Sequence, residues 1–118
     1  MIQQPKRKAY RNKKILAAAR DEPCLVNLPS CTGGGEDTVA AHSTRATDGA
    51  GKGQKSDDCF VAFACQHCHD VLDGRKRLVS FNGGPNGGEN MPQWEIFDYH
   101  DRGIKRTIRR LLDLGVIK

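Results

Sequence analysis

The apolar residues of this chain form two short runs and one longer periodic pattern. Residues 38–41 (TVAA) and 60–64 (FVAFA) are compact apolar runs that predict two strands, the first of which ends at His42. Near the other end of the chain, apolar side chains recur at the spacing of one helix face, at Ile104, Ile108, Leu111 and Leu112. This pattern predicts an amphipathic helix over about 98–115, with Gly115 placed to cap it.

Two shorter helices are also predicted. Residues 11–20 (RNKKILAAAR) are good helix formers, and Pro23 ends the stretch. The residues after Cys68 (HDVLDGRKRL) predict a second helix, whose inward-facing side chains would be Val71, Leu72 and Leu78. Glycine-rich stretches at 43–58 and 82–92 predict exposed loops.

Length and composition limit the architecture to one small α+β domain. The chain has 118 residues, of which 37% are hydrophobic and 6% aromatic, so the apolar core is small and a second domain is excluded. We expect a flexible basic arm over 1–10 and a single domain over 11–118. No apolar run is long enough to span a membrane and no signal peptide is evident, so we expect a cytoplasmic protein without a membrane partner.

Charge is distributed unevenly along the chain. Residues 1–20 carry a net +7, residues 21–100 a net −6, and residues 101–118 a net +4. Basic ends would suit a polyphosphate ligand, and an acidic middle would suit a divalent cation beside it. A solvated, partly disordered basic tail is the alternative interpretation of the N-terminal run.

Four of the five cysteines form two close pairs that predict a zinc site. Cys24 and Cys31 are separated by six residues, and Cys65 and Cys68 by two. Two short thiol-bearing turns are the usual source of a tetrahedral structural zinc site, and thiols of a cytosolic protein stay reduced. The alternative is a redox Cys-x-x-Cys with two unrelated thiols, whereas Cys59 is interpreted as a packing residue.

Histidines and carboxylates beside these cysteines predict a second metal site and a base. His69 and Asp73 are four residues apart on the predicted helix, so both could bind one cation of the magnesium, manganese, zinc or nickel type. His42 could take a proton from water, or could instead be a zinc ligand or a loop histidine. The acids that could orient His42 or stiffen its loop are Asp57 and Asp58, and His100 could return to the site from the last helix.

The assembled pattern resembles the ββα-metal motif of HNH (His-Me finger) endonucleases. The resemblance covers about residues 24–77: a strand ending in His42, a polar loop, a second strand, then Cys65-x2-Cys68-His69 with Asp73 one turn later. More narrowly, the chain is similar to small phage and prophage nucleases related to the RecA-dependent phage nuclease. This similarity lies in CLV near the first thiol, Ala41-His42, Asp57-Asp58, CHDVLDGR, and the pattern from Arg106 to Gly115.

The resemblance implies a zinc-stapled ββα-metal domain with flanking helices that hydrolyses DNA phosphodiesters. His42 would be the general base, His69 and Asp73 would hold a catalytic Mg²⁺ or another divalent cation, and the four paired cysteines would hold structural Zn²⁺. Two positions depart from the family pattern. Ala41 stands where many members have a further metal ligand. The middle asparagine of the motif is missing at its usual spacing, and Asp58 is the nearest substitute. His100 or Asp57 is then the candidate for the further ligand.

We therefore expect a DNA endonuclease of low sequence specificity, of phage or prophage origin, linked to recombination and acting in the host cytoplasm. A recombinase filament is a candidate partner. The residues expected to contact DNA are Lys6, Arg7, Lys8, Arg11, Lys13, Lys14, Arg45, Arg75, Lys105, Arg106, Arg109 and Arg110. The competing hypothesis is a non-catalytic zinc module that binds nucleic acid or a protein through its basic ends.

Overall fold

A two-stranded antiparallel sheet lies at the centre of the fold. In this computed structural model, which describes residues 8–29, 31–51, 54–75 and 91–117, strand β1 (Val39–His42) pairs with strand β2 (Val61–Ala64). The register places His42 opposite Val61 and Ala41 opposite Ala62. Helix α1 (Lys13–Ala18) precedes the sheet, and a 3₁₀ turn (Ala46–Asp48) lies between the two strands. Helices α2 (Gln66–Leu72) and α3 (Gln93–Asp113) follow the sheet.

The predicted α+β class and both predicted strands are confirmed, with changes at helix ends. Helix α2 begins at Gln66 because Cys65 acts as its N-cap, with a sulfur that accepts the backbone N–H of Cys68. Helix α3 begins five residues before the predicted start, directly after Pro92. Leu78 and most of the predicted loop over 82–92 lie outside the described residues.

The two faces of the sheet are covered by different parts of the chain. Ala41 and Ala62 face a cluster that contains the paired cysteines, Val71 and Ile104. Val61 and Phe63 face the opposite side, where they pack against α1 and the end of α3 through Ile15, Ala19 and Leu111. Since each strand has only four residues, most of the structural order around β1 comes from these helices and not from sheet hydrogen bonds.

Helix α3 approaches the sheet closely at two small residues. A Cβ on Gly103 would lie 3.0 Å from Cγ2 of Val26 and 3.1 Å from Cβ of Ala62, so glycine allows the helix to sit against the strand. One turn later, the Oγ1 of Thr107 accepts the Phe63 N–H at 2.9 Å. The prediction that Leu112 belongs to the buried face is wrong, because Leu112 is 49% exposed. The buried face of α3 runs from His100 to Leu111, and Leu112 lies to one side of it.

The predicted exposed loop over 43–58 is buried at both ends. Ser43, Ser56, Asp57 and Asp58 are each at most 5% exposed, which corrects the sequence-based expectation. The polar residues are buried because the start of the described chain folds over them: Asp58 N–H donates to the Tyr10 carbonyl at 2.9 Å. Residues 1–7 of the predicted arm lie outside the described residues. Across the described ranges, no helix combines the length and hydropathy that a bilayer crossing requires.

Candidate functional site

The four paired cysteines converge on one point. The sulfur atoms of Cys24, Cys31, Cys65 and Cys68 all lie within 4.8 Å of one another. Two come from the turn before β1, and the other two from the N-cap and first turn of α2. A closed set of four sulfur ligands with little exposure is the donor set of a structural zinc site, so the cluster could bind one zinc ion, as the spacing predicts.

Contacts within the cluster shift the pKa values of its thiols in opposite directions. The hydrogen bond from the Cys68 thiol lowers the pKa of Cys24 to about 4, against an opposing effect of burial. Burial raises the pKa of Cys31 to about 11, and its sulfur accepts the N–H of Gly33 at 3.3 Å. The lowered pKa of Cys24 favours its thiolate, and a bound cation would displace protons from the thiols that remain protonated.

His42 is held by a buried carboxylate at the end of β1. Its Nε2 lies 2.8 Å from Oδ1 of Asp58, and the Asp58 side chain is only 4% exposed. Since an ionised carboxylate only accepts hydrogen bonds, Nε2 of a neutral His42 carries the proton. Its Nδ1 then has the free lone pair, which is the arrangement of an oriented base.

Asp58 is itself held in place by α1. Its Oδ2 accepts the backbone N–H of Asn12 at 2.7 Å, and its Oδ1 lies 3.3 Å from the guanidinium of Arg11. Burial raises the pKa of Asp58, but the hydrogen bonds from His42, Asn12 and Arg11 outweigh it and keep the pKa below its ordinary value. The carboxylate is therefore ionised at neutral pH.

The end of α2 presents a second pair of polar groups. Nε2 of His69 and Oδ2 of Asp73 lie 3.2 Å apart, as the four-residue spacing predicts. Arg75 donates to the same oxygen of Asp73 at 2.7 Å, and its Nη2 lies 3.4 Å from Nδ1 of His69. In the described part of the chain, no third cysteine, histidine or acid completes a cluster with this pair.

One groove brings the two polar sites together. It has a volume of about 1220 Å³, and His42, His69 and Asp73 all line it. Two cations that the sequence analysis does not single out, Arg20 and Lys55, line the same groove. The sequence marks neither residue as a site residue, since Arg20 is only the last residue of the basic run over 1–20 and Lys55 lies in a polar loop.

The two candidates for a further metal ligand make other contacts. Nε2 of His100 lies 3.0 Å from the carbonyl of Ala41, beneath β1, and burial lowers its pKa. Asp57 accepts the backbone N–H of Tyr10 at 3.3 Å and lies against Gly49. Both residues support the frame around His42, since His100 holds the strand and Asp57 holds the loop.

The predicted DNA-contacting residues divide by their present contacts. Arg11 donates to the Lys55 carbonyl and to Asp58, and Arg45 pairs with Asp101 at 2.8 Å. On α3, Arg106 donates to the Leu25 carbonyl and Arg110 forms two hydrogen bonds to Glu22. The exposed residues among the predicted set are Lys8, Arg11, Lys13, Lys14, Arg75, Lys105, Arg106 and Arg109, and Lys6 and Arg7 lie outside the described residues.

Fold and site together define a small α+β protein with a four-cysteine centre beside a groove that contains histidines and a carboxylate. Residues 13–116 match the family described as "Putative nuclease YbcO", and the chain belongs to that family.

A solved structure, described as that of a putative bacteriophage protein from Escherichia coli str. K-12 substr. MG1655, is similar. It matches with a TM-score of 0.60 and 29% identity, covering 85% of this chain and 98% of that chain. No curated protein matches this chain.

Proposed function

We propose that this protein is a metal-dependent DNA endonuclease of the HNH type. The observation that carries the proposal is the convergence of His42, His69 and Asp73 on one groove. These residues come from the end of a strand and from the following helix, in the order that the ββα-metal motif requires. Membership of a nuclease family supports hydrolysis of a nucleic acid.

His42 acts as the general base. With its Nε2 proton donated to Asp58, its Nδ1 takes a proton from a water molecule in the groove, and that water attacks the scissile phosphorus. The P–O bond to the 3′ oxygen breaks as the P–O bond to water forms. Asp58 keeps the ring in one tautomer and stabilises the imidazolium that results.

His69 and Asp73 would hold the catalytic cation, which is Mg²⁺ or a similar divalent ion. Their nitrogen and oxygen donors fit such an ion, and two protein ligands leave positions for water and phosphate. When bound, the cation would supply positive charge beside the phosphate and the leaving oxygen. Arg75 forms an ion pair with Asp73. Because this ion pair is exposed, it contributes little to stability, and the guanidinium can turn to a DNA phosphate instead.

The remaining predicted residues bind the DNA backbone without reading its sequence. Exposed lysines and arginines of α1 and α3 contact phosphates, and Arg45 can exchange Asp101 for a phosphate. Structural zinc on the four cysteines holds α2, and therefore His69 and Asp73, against the sheet. The similarity to a bacteriophage protein supports a phage or prophage origin, with recombination as the process and a recombinase filament as the partner.

Cleavage of plasmid DNA tests this function. We expect the zinc-loaded protein to nick supercoiled plasmid or cut single-stranded circles with Mg²⁺ or Mn²⁺, and to show no activity when neither ion is added. His42→Ala should lower the rate by about 10²- to 10⁴-fold, as expected for loss of a general base. Zinc content and DNA affinity should stay unchanged, since His42 is not part of the cysteine cluster.

A charge-matched pair of variants tests the cation site. Asp73→Asn should raise the Mn²⁺ concentration needed for half-maximal cleavage, whereas Asp113→Asn should not, because Asp113 is exposed at the end of α3 and does not line the groove. DNA binding without cleavage, on bare DNA and on recombinase-coated strands, would instead support the non-catalytic zinc module.

A further inference from the structure

Trp94 is the most exposed of the large apolar side chains in the described part of the chain. It lies in the first turn of α3, is 71% exposed, and is the only tryptophan in the sequence. Leu112, on the same helix, is 49% exposed, so Trp94 offers a larger share of its surface to solvent. A flat, rigid ring exposed in this way suits a flat partner.

Arg45 and Phe97 extend the same surface. The guanidinium carbon of Arg45 lies 4.6 Å from the centroid of the Phe97 ring, and Arg45 also pairs with Asp101. Trp94, Phe97 and Asp101 are spaced by three and four residues, so they lie on one side of α3 within about 10 Å. Arg45 and the two rings therefore form one surface, which we call the Trp94 surface.

Arg45 connects the Trp94 surface to the groove along the chain. Ser43 and Thr44 line the groove, and Arg45 follows them directly. Arg45 is three residues from His42, so the two are separated by at most about 10 Å along the chain. A strand of nucleic acid whose phosphate reaches His42 therefore has neighbouring nucleotides beside this surface.

We infer that the Trp94 surface stacks a base of single-stranded DNA near the scissile phosphate. This inference rests on the proposed function and specifies the form of its substrate. Bases in a duplex are stacked on each other and have no free face, whereas every base of a single strand has one. The Arg45 guanidinium adds positive charge for the adjacent phosphate, so stacking and charge act on the same nucleotide.

Binding measured with zinc-loaded protein and no added Mg²⁺ or Mn²⁺ tests this inference without any cleavage. Because Trp94 is the only tryptophan, intrinsic fluorescence reports on it alone. Titration with a 12-nucleotide oligothymidine should quench the emission, and a blunt 12-base-pair duplex should not. By anisotropy of a labelled oligonucleotide, Trp94→Ala should bind about tenfold more weakly, and Trp94→Phe should retain most of the affinity. Leu112→Ala removes another exposed apolar side chain from α3 and should bind as the wild type does.

The inference would be overturned if oligothymidine left the wild-type fluorescence unchanged and Trp94→Ala bound it as tightly as the wild type does. It would also be overturned if the duplex quenched the fluorescence as strongly as oligothymidine does. The proposed function is judged separately. Stacking without Mg²⁺- or Mn²⁺-dependent cleavage would refute the proposed nuclease function and support base stacking on the Trp94 surface. Cleavage without stacking would support the nuclease function and refute base stacking.

Discussion

Asp58 determines which nitrogen of His42 carries the proton. It accepts hydrogen bonds from His42 and from the backbone of Asn12, so it connects the end of β1 to the start of α1. In the proposed mechanism the base needs a polar group behind it, and the ionised carboxylate of Asp58 would supply that group. The side chain is buried and fully partnered, which keeps the ring in a single orientation.

Asp58→Asn tests this positioning role. The amide can donate to Nε2, which would leave the proton on Nδ1 and remove the lone pair that faces water. We expect cleavage to fall by about 10²-fold or more. Long-range ¹H–¹⁵N NMR should show His42 with its proton on Nε2 in the wild type and a mixed or reversed tautomer in the variant. An unchanged tautomer together with unchanged cleavage would show that Asp58 has no such role.

His100 makes stability depend on pH. Burial lowers its pKa below the ordinary 6.5, although Asp101 and Asp73 raise it and Arg45 lowers it further. The unfolded chain therefore binds the proton first as pH falls, and stability present above about 6.5 is lost as pH falls toward the folded pKa. We expect the melting temperature to decrease between pH 7 and pH 5, and His100→Gln to reduce this dependence. An identical pH profile in the variant would contradict this assignment.

At the scale of elements, the turn before β1 joins the cysteine cluster to the strand that presents His42. Gly34 lies at φ +82°, and a Cβ there would be 2.5 Å from both the Cys24 nitrogen and Oγ1 of Thr38. Gly33, at φ +91°, has no neighbour within 4 Å of an added Cβ. The two glycines share a backbone conformation and differ in available space.

This pair gives a matched test of the turn. Gly33→Ala should cost about 1–2 kcal/mol through backbone strain alone. Gly34→Ala adds a clash with backbone atoms, so we expect about 1–3 kcal/mol of further destabilisation and weaker zinc retention. Urea unfolding monitored by circular dichroism measures both. Equal losses in the two variants would mean that the turn relaxes around the added methyl group.

At the scale of the whole molecule, helix α2 couples the zinc site to the groove. It carries Cys68 on its buried side and His69 on the side that lines the groove. The strands are short and the core is small, and the four clustered cysteines, which could bind one zinc ion, come from segments that are distant in sequence. Folding and the groove should therefore depend on the metal.

Zinc removal tests this coupling. Cys65→Ser, or a strong chelator, should abolish the cooperative melting transition, because a structural zinc site contributes folding free energy directly. Cys59→Ser is the matched control, since Cys59 is outside the cluster, and it should retain one zinc per chain by elemental analysis. A Cys65→Ser variant with unchanged melting would exclude a structural zinc.

If the basic residues at both ends of the chain bind phosphates as proposed, DNA affinity should fall steeply with salt. With about four phosphate contacts on a single strand, raising salt from about 50 to 200 mM should weaken binding roughly 50-fold. Fluorescence anisotropy at several salt concentrations measures the slope. Salt-independent binding would show that phosphate contacts do not dominate.

Several features were predictable because they depend on local pattern. The two strands, the three helices and the convergence of the cysteines follow from apolar spacing and from short cysteine intervals. The positions that differed depend on distant contacts: Leu112 was assigned to the wrong face, and the loop ending at Asp58 was expected to be exposed. No short-range signal reports that Tyr10 and Arg11 fold over that loop.

The sequence by itself determined the α+β class, the cysteine cluster and the candidate groups of the site, because each depends on residue type and spacing along one element. The tertiary structure decided that His42, His69 and Asp73 share a groove, that Asp58 orients His42, and that Trp94 stays exposed beside Arg45. These relations join segments separated by tens of residues, and only the packing of α1, α2 and α3 around the sheet brings them together.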